Sequence, residues 1–305
     1  MTEKENTLIV ITGATASGKT SLAIEVAERL GCDIISADSR QIYRGLPIGT
    51  AAPTASEMSR VRHHFVGMLD VADYYSASQY EHDVLKLLPE LWRHSPYAVM
   101  CGGSMMYVDA VTDGIDELPT IPAATRSHVA GVLASGGAEA VLAMLELLDP
   151  VYYAEVDRAN IKRVVHAVEI SLAAGQPYSE LRRGVRTERP FHIIKVAIDM
   201  PRAELFDRIN RRVVCMMEAG LEAEARSMLP YRHLNALNTV GYKEMFAYFD
   251  GAMSLQEATA RIAKNTRVYA KKQLTWLARP SVRPAVMLSA GDAAQRLFEL
   301  VKSSK

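Results

Sequence analysis

One short loop near the start of the chain constrains the fold more than any other feature. Residues 13–20 read GATASGKT, which matches the phosphate-binding pattern G-x-x-x-x-G-K-[ST] in full. An apolar run at 8–12 precedes the loop, and apolar residues at helical spacing follow it at 21–30. In this setting the glycines let backbone N–H groups surround an anionic diphosphate, and the helix N-terminus adds its positive end. The pattern therefore predicts a strand, a phosphate-binding loop (P-loop) and a helix, although it specifies no reaction.

The remaining segments indicate an α/β fold with a helical insertion. Further strands are predicted at 32–36, 97–101, 192–198 and 285–288, with helical stretches between them. This order favours a parallel sheet flanked by helices, as in P-loop nucleoside triphosphate hydrolases. Between 116 and 189 the strand signal disappears, and alanine-rich helices are predicted at 123–148 and 154–174. We therefore expect a catalytic core formed by 1–115 and 190–305, with an all-helical insertion domain at 116–189.

Charge and cysteine content narrow the class of protein. The 35 Lys and Arg residues balance 35 Asp and Glu residues, but the helix predicted from Ser254 to just before Pro280 has six basic and no acidic side chains within 261–279. Such a segment can bind phosphates, or it can be a solvated helix face. Three widely spaced cysteines suit neither a disulfide framework nor a zinc site. We expect no membrane span and no signal peptide, and hence a cytoplasmic protein.

A carboxylate follows the strand predicted at 32–36. Asp38 lies just past its end, and in an open α/β sheet ligands bind at the carboxyl ends of the strands. Asp38 can therefore be a metal ligand or a general base, and a turn or helix N-cap role fits the local sequence equally well. A phosphoryl-transfer enzyme also needs a second acidic metal ligand at the end of an apolar strand. The strand at 97–101 ends instead in Gly-Gly-Ser, which argues against kinase chemistry.

Further motifs occur in order along nearly the whole chain. They are DSRQIY at 38–43, IGTAAP at 48–53, GGS at 102–104, KRVVHAVEI at 162–170, RINRR at 208–212, GLEAE at 220–224 and VGYKE at 240–244. Together with the P-loop they resemble the tRNA dimethylallyltransferase family, whose members move a dimethylallyl group onto N6 of adenosine 37, beside the anticodon. The resemblance implies two partners, dimethylallyl diphosphate and the anticodon stem-loop of tRNA. It also implies that the P-loop holds the prenyl diphosphate rather than ATP as a phosphoryl donor. We expect the enzyme to be a monomer.

The resemblance assigns roles to individual residues. Asp38 would act on the adenine amine, and Ser104 joins the catalytic set. Lys19, Arg212 and a Mg²⁺ ion bound by Thr20 would neutralise the diphosphate. The diphosphate-binding set is Gly13, Ala14, Thr15, Ala16, Ser17, Gly18, Lys19 and Thr20. The tRNA-binding set is Asp38, Ser39, Arg40, Gln41, Ser104, Arg126, Lys162, Arg163, His166, Asn238, Gly241, Tyr242 and Lys243.

Three residues depart from the family's usual pattern. Ser104 stands where threonine is common and keeps the hydroxyl, whereas His166 replaces an arginine and so loses a permanent charge. Asn238 lies where some relatives have arginine. Two other P-loop enzymes stay open as alternatives, an adenylate isopentenyltransferase and a small-molecule kinase, as does a noncatalytic RNA-binding protein.

Overall fold

The computed structural model describes residues 6–184, 186–279 and 286–303, and within them six strands form one parallel sheet. The strand order is β3-β2-β4-β1-β5-β6. The strands are β1 (Thr7–Gly13), β2 (Ile34–Ala37), β3 (His63–His64), β4 (Tyr97–Gly102), β5 (His192–Asp199) and β6 (Val286–Ser289). The predicted parallel sheet is confirmed. Residue 285, the predicted start of the last strand, lies outside the described residues.

Helices connect the strands and cover the sheet. The α-helices are α1 (Lys19–Leu30), α2 (Ala55–Arg60), α3 (Ala77–Leu91), α4 (Met105–Asp113), α5 (Ala123–Leu148), α6 (Pro150–Glu155), α7 (Ile161–Ala174), α8 (Tyr178–Leu181), α9 (Arg202–Glu218), α10 (Leu221–Ser227), α11 (Tyr242–Phe249), α12 (Leu255–Leu277) and α13 (Ala293–Ser303). The prediction of one helical stretch over 154–174 is wrong. Val156 is extended, and the carboxylate and carbonyl of Asp157 accept the N–H groups of Ala159 and Asn160 in a turn that separates α6 from α7.

The chain forms two compact units. The first contains the sheet and comprises the described residues up to Asp113 and from Arg189 onward, and the second is Gly114–Glu188. The boundaries drawn from the sequence, 116 and 189, lie within two residues of this division.

The burial of β1 determines where the P-loop emerges. β1 pairs with β4 on one side and β5 on the other, and its residues 8–11 have no exposed surface. A strand covered on both faces reads as a continuous apolar run, which is why the sequence LIVI predicts it. The loop after β1 therefore begins at the centre of the carboxyl edge of the sheet, where open α/β folds bind ligands.

The second unit has an apolar core of its own. Val129, Val141 and Leu145 of α5 pack with Val164 and Val168 of α7. By length and composition α5 also passes as a helix able to cross a bilayer, with a mean hydropathy of 1.5 over its most apolar 18 residues, which the sequence analysis missed. However, Gly137 leaves the helical region (φ 68°, ψ −165°) and divides α5 in two. Since a span needs about 20 helical residues, we interpret α5 as two packed helices of the second unit.

Two glycines give opposite predictions for stability. A Cβ on Gly102, at the end of β4, would lie 2.1 Å from the carbonyl oxygen of Ala37 on the neighbouring β2. Because this neighbour is backbone, Gly102→Ala should lower the free energy of unfolding by about 1–3 kcal/mol. The matched change Gly131→Ala, in an exposed turn of α5 with open space around it, should raise it by up to about 1 kcal/mol. Urea titration of both variants checks this, and equal effects would contradict it.

Candidate active site

The P-loop adopts a conformation suited to anion binding. Ala16 (φ 66°) and Gly18 (φ 97°) are left-handed, and Gly18 forms the N-cap of α1. The N–H of Ser17 donates to the carbonyl of Ala14 at 3.2 Å, which tightens the turn. Left-handed residues alternating with right-handed ones turn successive N–H groups towards one concave surface. The loop therefore adds a cluster of donors to the positive end of α1, as the sequence predicts.

Two distant helices hold the P-loop in place. Gln273 of α12 accepts the N–H of Thr15 at 2.8 Å and donates to the carbonyl of Gly103 at 2.9 Å. Arg212 of α9 donates to the hydroxyl of Thr15 at 2.7 Å. Gln273 is 3% exposed, so both halves of its amide are satisfied inside the protein. Gln273 could not be predicted from the sequence, because its partners lie 258 and 170 residues away in the chain.

Two cations lie close to the loop. The ammonium of Lys19 donates to the carbonyl of Ala14 at 2.7 Å. Burial lowers the pKa of Lys19 to about 8, with nearby Arg212 lowering it further and Cys101 and Asp38 opposing the shift. Burial also lowers the pKa of Arg212, again opposed by Asp38. Two desolvated cations beside one carboxylate form a site that gains from binding an anion.

Asp38 is held by a turn and also faces the site. Its Oδ1 accepts the N–H groups of Arg40 at 2.8 Å and Gln41 at 3.3 Å, while Oδ2 makes no hydrogen bond to the described residues. The turn role and the site role, which the local sequence could not separate, are thus compatible. One oxygen fixes the carboxylate and the other stays available for chemistry.

Ser104 and Gln41 hold the segments next to Asp38 in place through hydrogen bonds. The hydroxyl of Ser104 accepts the N–H of Ser39 at 2.9 Å, which ties the turn after β2 to the turn after β4. The amide of Gln41 donates to the carbonyls of Thr50 and Ala51, at 3.2 and 3.0 Å. Both side chains are engaged with the protein, so their geometry suits positioning of the neighbouring segments.

The VGYKE segment contains both buried residues and an exposed one. Tyr242 has no exposed surface and donates its hydroxyl to Glu224 at 2.6 Å, which leaves tRNA no direct access to it. The expectation that Tyr242 contacts tRNA therefore needs correction: its side chain lies in the protein interior. Glu244 accepts the N–H of Gly241 at 2.8 Å and the amide of Asn265 at 2.6 Å. Lys243 is the exposed member of this segment's motif.

Two adjoining cavities meet at Asp38. The P-loop cavity, of about 560 Å³, includes Lys19 and Thr20 among its walls. The second cavity, of about 320 Å³, includes Ser104, Asn238 and Lys243. Five residues line both cavities, and they are Thr15, Asp38, Thr50, Arg212 and Tyr269. A larger groove of about 1120 Å³ lies between α1 and α13, but the described residues lining it include neither Lys19 nor Asp38.

Tyr269 is the aromatic side chain that the sequence analysis did not place in the site. It is 38% exposed, lines both cavities, and approaches the carbonyl of Gly103 at 3.4 Å. A signal was present in the sequence. Thr266, Tyr269 and Gln273 follow helical spacing on the non-basic face of the basic helix, which we interpreted only through its charge.

The side chains of the second unit that the resemblance assigns to tRNA binding lie on two helices. Arg126 on α5 and Lys162, Arg163 and His166 on α7 are exposed. The ring of His166 packs edge-on to Tyr178, and the desolvation of this covered side of the ring, together with nearby Arg126, lowers the pKa of His166. The lowered pKa disfavours the charged form of His166, in contrast to the permanently charged arginine usual at its position in the family.

The lowered pKa of Lys19 predicts how diphosphate binding depends on pH. Lys19 is protonated below about pH 8 and neutral above it, so its contribution to anion binding is present at pH 7 and lost as the pH rises. The affinity for inorganic diphosphate should fall about tenfold more in the native protein than in Lys19→Arg between pH 7 and 9.5, as measured by isothermal titration calorimetry. Because the diphosphate ionises in the same way in both titrations, comparison with the arginine variant removes the effect of the ligand's own ionisation. Equal losses in the two proteins would contradict the assignment.

Comparison with known proteins agrees with the motifs along the chain. A family model described as IPP transferase matches residues 41–280. A protein of Parabacteroides distasonis named tRNA dimethylallyltransferase 2 is 54% identical over 293 residues, covering 96% of this chain and 97% of that protein. The crystal structure of a tRNA isopentenylpyrophosphate transferase from Bacillus halodurans matches with a TM-score of 0.72 at 30% identity, covering 98% and 96% of the two chains.

A eukaryotic dimethylallyltransferase described as acting on tRNA shares the fold, with a TM-score of 0.81 at 22% identity over 98% of this chain and 79% of that one. Because the family model spans most of the chain and a relative matches it almost completely at 54% identity, this chain belongs to the IPP transferase family, the tRNA dimethylallyltransferases.

Proposed function

We propose that this enzyme transfers the dimethylallyl group of dimethylallyl diphosphate to N6 of adenosine 37 in tRNA, with the P-loop holding the diphosphate and Asp38 acting at the amine. One observation carries the proposal: the P-loop cavity and the second cavity share Asp38 and Arg212. A donor bound at the P-loop and a base entering the second cavity would meet at these side chains. The chain's own residues thus supply a group for each end of the reaction.

The transfer breaks one bond and forms another. The bond between the prenyl C1 and the diphosphate oxygen breaks with its electron pair leaving on the diphosphate, while the N6 lone pair forms the new bond to C1. The N6 proton then moves to Oδ2 of Asp38, the oxygen that the turn leaves open. Lys19, Arg212 and the P-loop N–H groups stabilise the negative charge that grows on the leaving diphosphate.

The donor set suits a magnesium ion shared with the substrate. Thr20 lines the P-loop cavity, and Asp38 is the single carboxylate among the described residues that line it. No cluster of three or more His, Cys, Asp or Glu residues that could hold a metal occurs in the described part of the chain. Mg²⁺ is commonly bound by one or two protein oxygens, substrate phosphates and water. We propose that the Thr20 hydroxyl supplies the protein ligand, and that the ion adds charge neutralisation at the diphosphate.

The adenine must leave the anticodon-loop stack to react, at a cost of a few kcal/mol. Lys243 and Asn238 on the wall of the second cavity can contact the flipped nucleotide. The exposed cations Arg126, Lys162 and Arg163 of the second unit can bind phosphates of the anticodon stem-loop and so position it without reading bases. We further propose that the enzyme acts as a monomer in the cytoplasm.

An acceptor assay tests the proposed reaction. Labelled dimethylallyl diphosphate is incubated separately with unmodified tRNA, AMP and ATP, and the label should appear on tRNA alone. Asp38→Asn should retain tRNA binding but lose about 10²- to 10⁴-fold in kcat, because the amide cannot accept the proton. Asp33→Asn is the matched control, since Asp33 lies at the opposite end of β2 and pairs with His64. Label on free nucleotides, consumption of ATP, or a near-normal kcat in Asp38→Asn would each refute the proposal.

The second unit's part in tRNA binding has its own test. Changing Arg126, Lys162 and Arg163 together to Gln should weaken tRNA binding and reduce its salt dependence, by at most about 0.7–0.9 in the log–log slope per lost phosphate contact. Affinity for dimethylallyl diphosphate should not change. A matched variant neutralises Lys86 and Arg93, exposed residues on and just after α3, and should keep the native slope. An unchanged slope in the triple variant would move the RNA contact to the basic face of α12.

A further inference from the structure

One carboxylate connects two segments that line the reaction site. Glu224 of α10 accepts the N–H of Ile48 at 2.8 Å and the N–H of Gly49 at 2.7 Å. The same carboxylate accepts the hydroxyl of Tyr242 at 2.6 Å. Glu224 lies about 175 residues from the first partners and 18 from the third, so it links parts of the chain that have no local connection.

The first linked segment, 48–51, presents Thr50 to both cavities. Glu224 holds its N–H groups from one side, and Gln41 holds the carbonyls of Thr50 and Ala51 from the other. Ala51 is left-handed (φ 50°), a conformation that a non-glycine residue adopts at a cost. The segment is therefore fixed by side chains in a shape that it would not favour by itself.

The second linked segment, 238–243, forms a further wall of the second cavity. The buried ring of Tyr242 packs directly under Gly49, where an added Cβ would lie 2.6 Å from ring atoms. Burial and the hydrogen bond to Glu224 raise the pKa of Tyr242, so its phenol stays protonated and keeps donating. The contacts of Tyr242 and Glu224 thus fix the position of Thr50 relative to Lys243.

We infer that Glu224 is a positioning residue for the transfer reaction: it fixes the wall at Gly49–Thr50 against the wall at Gly241–Lys243, and so sets how an acceptor base lies towards Asp38. This inference rests on the proposed function and names a residue that touches neither substrate. Glu224 does not line the P-loop cavity. Its loss should therefore slow the transfer while leaving diphosphate binding intact.

The chemistry of the carboxylate explains why glutamate is required. Its two oxygens accept three hydrogen bonds, two of them from backbone N–H groups. A glutamine has one oxygen and places N–H donors against a backbone donor. Glu224→Gln therefore breaks the link while almost preserving the side-chain volume. Tyr242→Phe is milder, because it removes the phenol donor and keeps the ring that packs under Gly49.

The test compares these variants with a control on the same helix. Glu222→Gln removes a carboxylate that pairs with exposed Arg226 and should leave all measured quantities unchanged. Each protein is assayed for single-turnover transfer at saturating dimethylallyl diphosphate and tRNA, for the Kd of inorganic diphosphate, and for its folded fraction by thermal melting. Glu224→Gln should lose about 10- to 100-fold in transfer rate per folded molecule, because a displacement of about 1 Å can cost about 10²-fold. Its Kd for diphosphate should stay within about twofold of the native value.

Tyr242→Phe should lose less than Glu224→Gln, and the double variant should be no slower than Glu224→Gln alone, since both changes break one link. A transfer rate within twofold of native in Glu224→Gln would overturn the inference. So would losses explained wholly by the unfolded fraction, or multiplicative losses in the double variant. Native enzyme that prenylates no tRNA would instead overturn the proposed function, so the two failures are distinguishable.

Discussion

The grouping of two desolvated cations with one carboxylate around the P-loop cavity is the constraint around which the site is organised. Burial lowers the pKa of both Lys19 and Arg212, and Asp38 is the charge that opposes both shifts. Such an arrangement is unfavourable unless the surrounding structure holds it firmly. The firm hold comes from the fully buried β1 below the P-loop and from hydrogen bonds to Thr15 above it. The same arrangement favours an anionic leaving group, which is what prenyl transfer from a diphosphate requires.

Several residues of the family's motifs make hydrogen bonds that hold the loops around the site. Ser104 and Gln41 fix the turns beside Asp38, and Tyr242 and Glu224 fix the facing walls. Ser104, Gln41 and Glu224 each satisfy backbone groups of a loop that has no regular hydrogen-bonding partner. Loops of this kind would otherwise fluctuate, since their backbone lacks the hydrogen bonds of a helix or sheet. Preorganisation of the reacting groups thus depends on residues one step removed from the chemistry.

The helix α12 combines two roles on two faces. Its outward positions carry basic side chains, while Thr266 and Gln273 point into the protein, at 8% and 3% exposure. Gln273 contacts both the P-loop and the turn after β4, so this helix forms part of the P-loop cavity as well as a cationic surface. The charge pattern of the helix therefore indicates its basic face but not the buried face that contacts the P-loop.

The sequence by itself determined the parallel α/β fold, the P-loop, the helical character of the region from 116 to 189, and the family. The fold elements could be predicted because strand and helix periodicity and glycine-rich turns are local patterns, whereas the family followed from the resemblance of motifs along the chain. Only the tertiary structure decided that Tyr242 is buried, that Gln273 and Glu224 hold the site, and that Tyr269 lies between the two cavities. It also decided that residues 154–174 form two helices, because a carboxylate turn at Asp157 outweighs a pattern that reads as continuous. These contacts join residues far apart in the chain, and their strength depends on packing and desolvation, which no local pattern encodes.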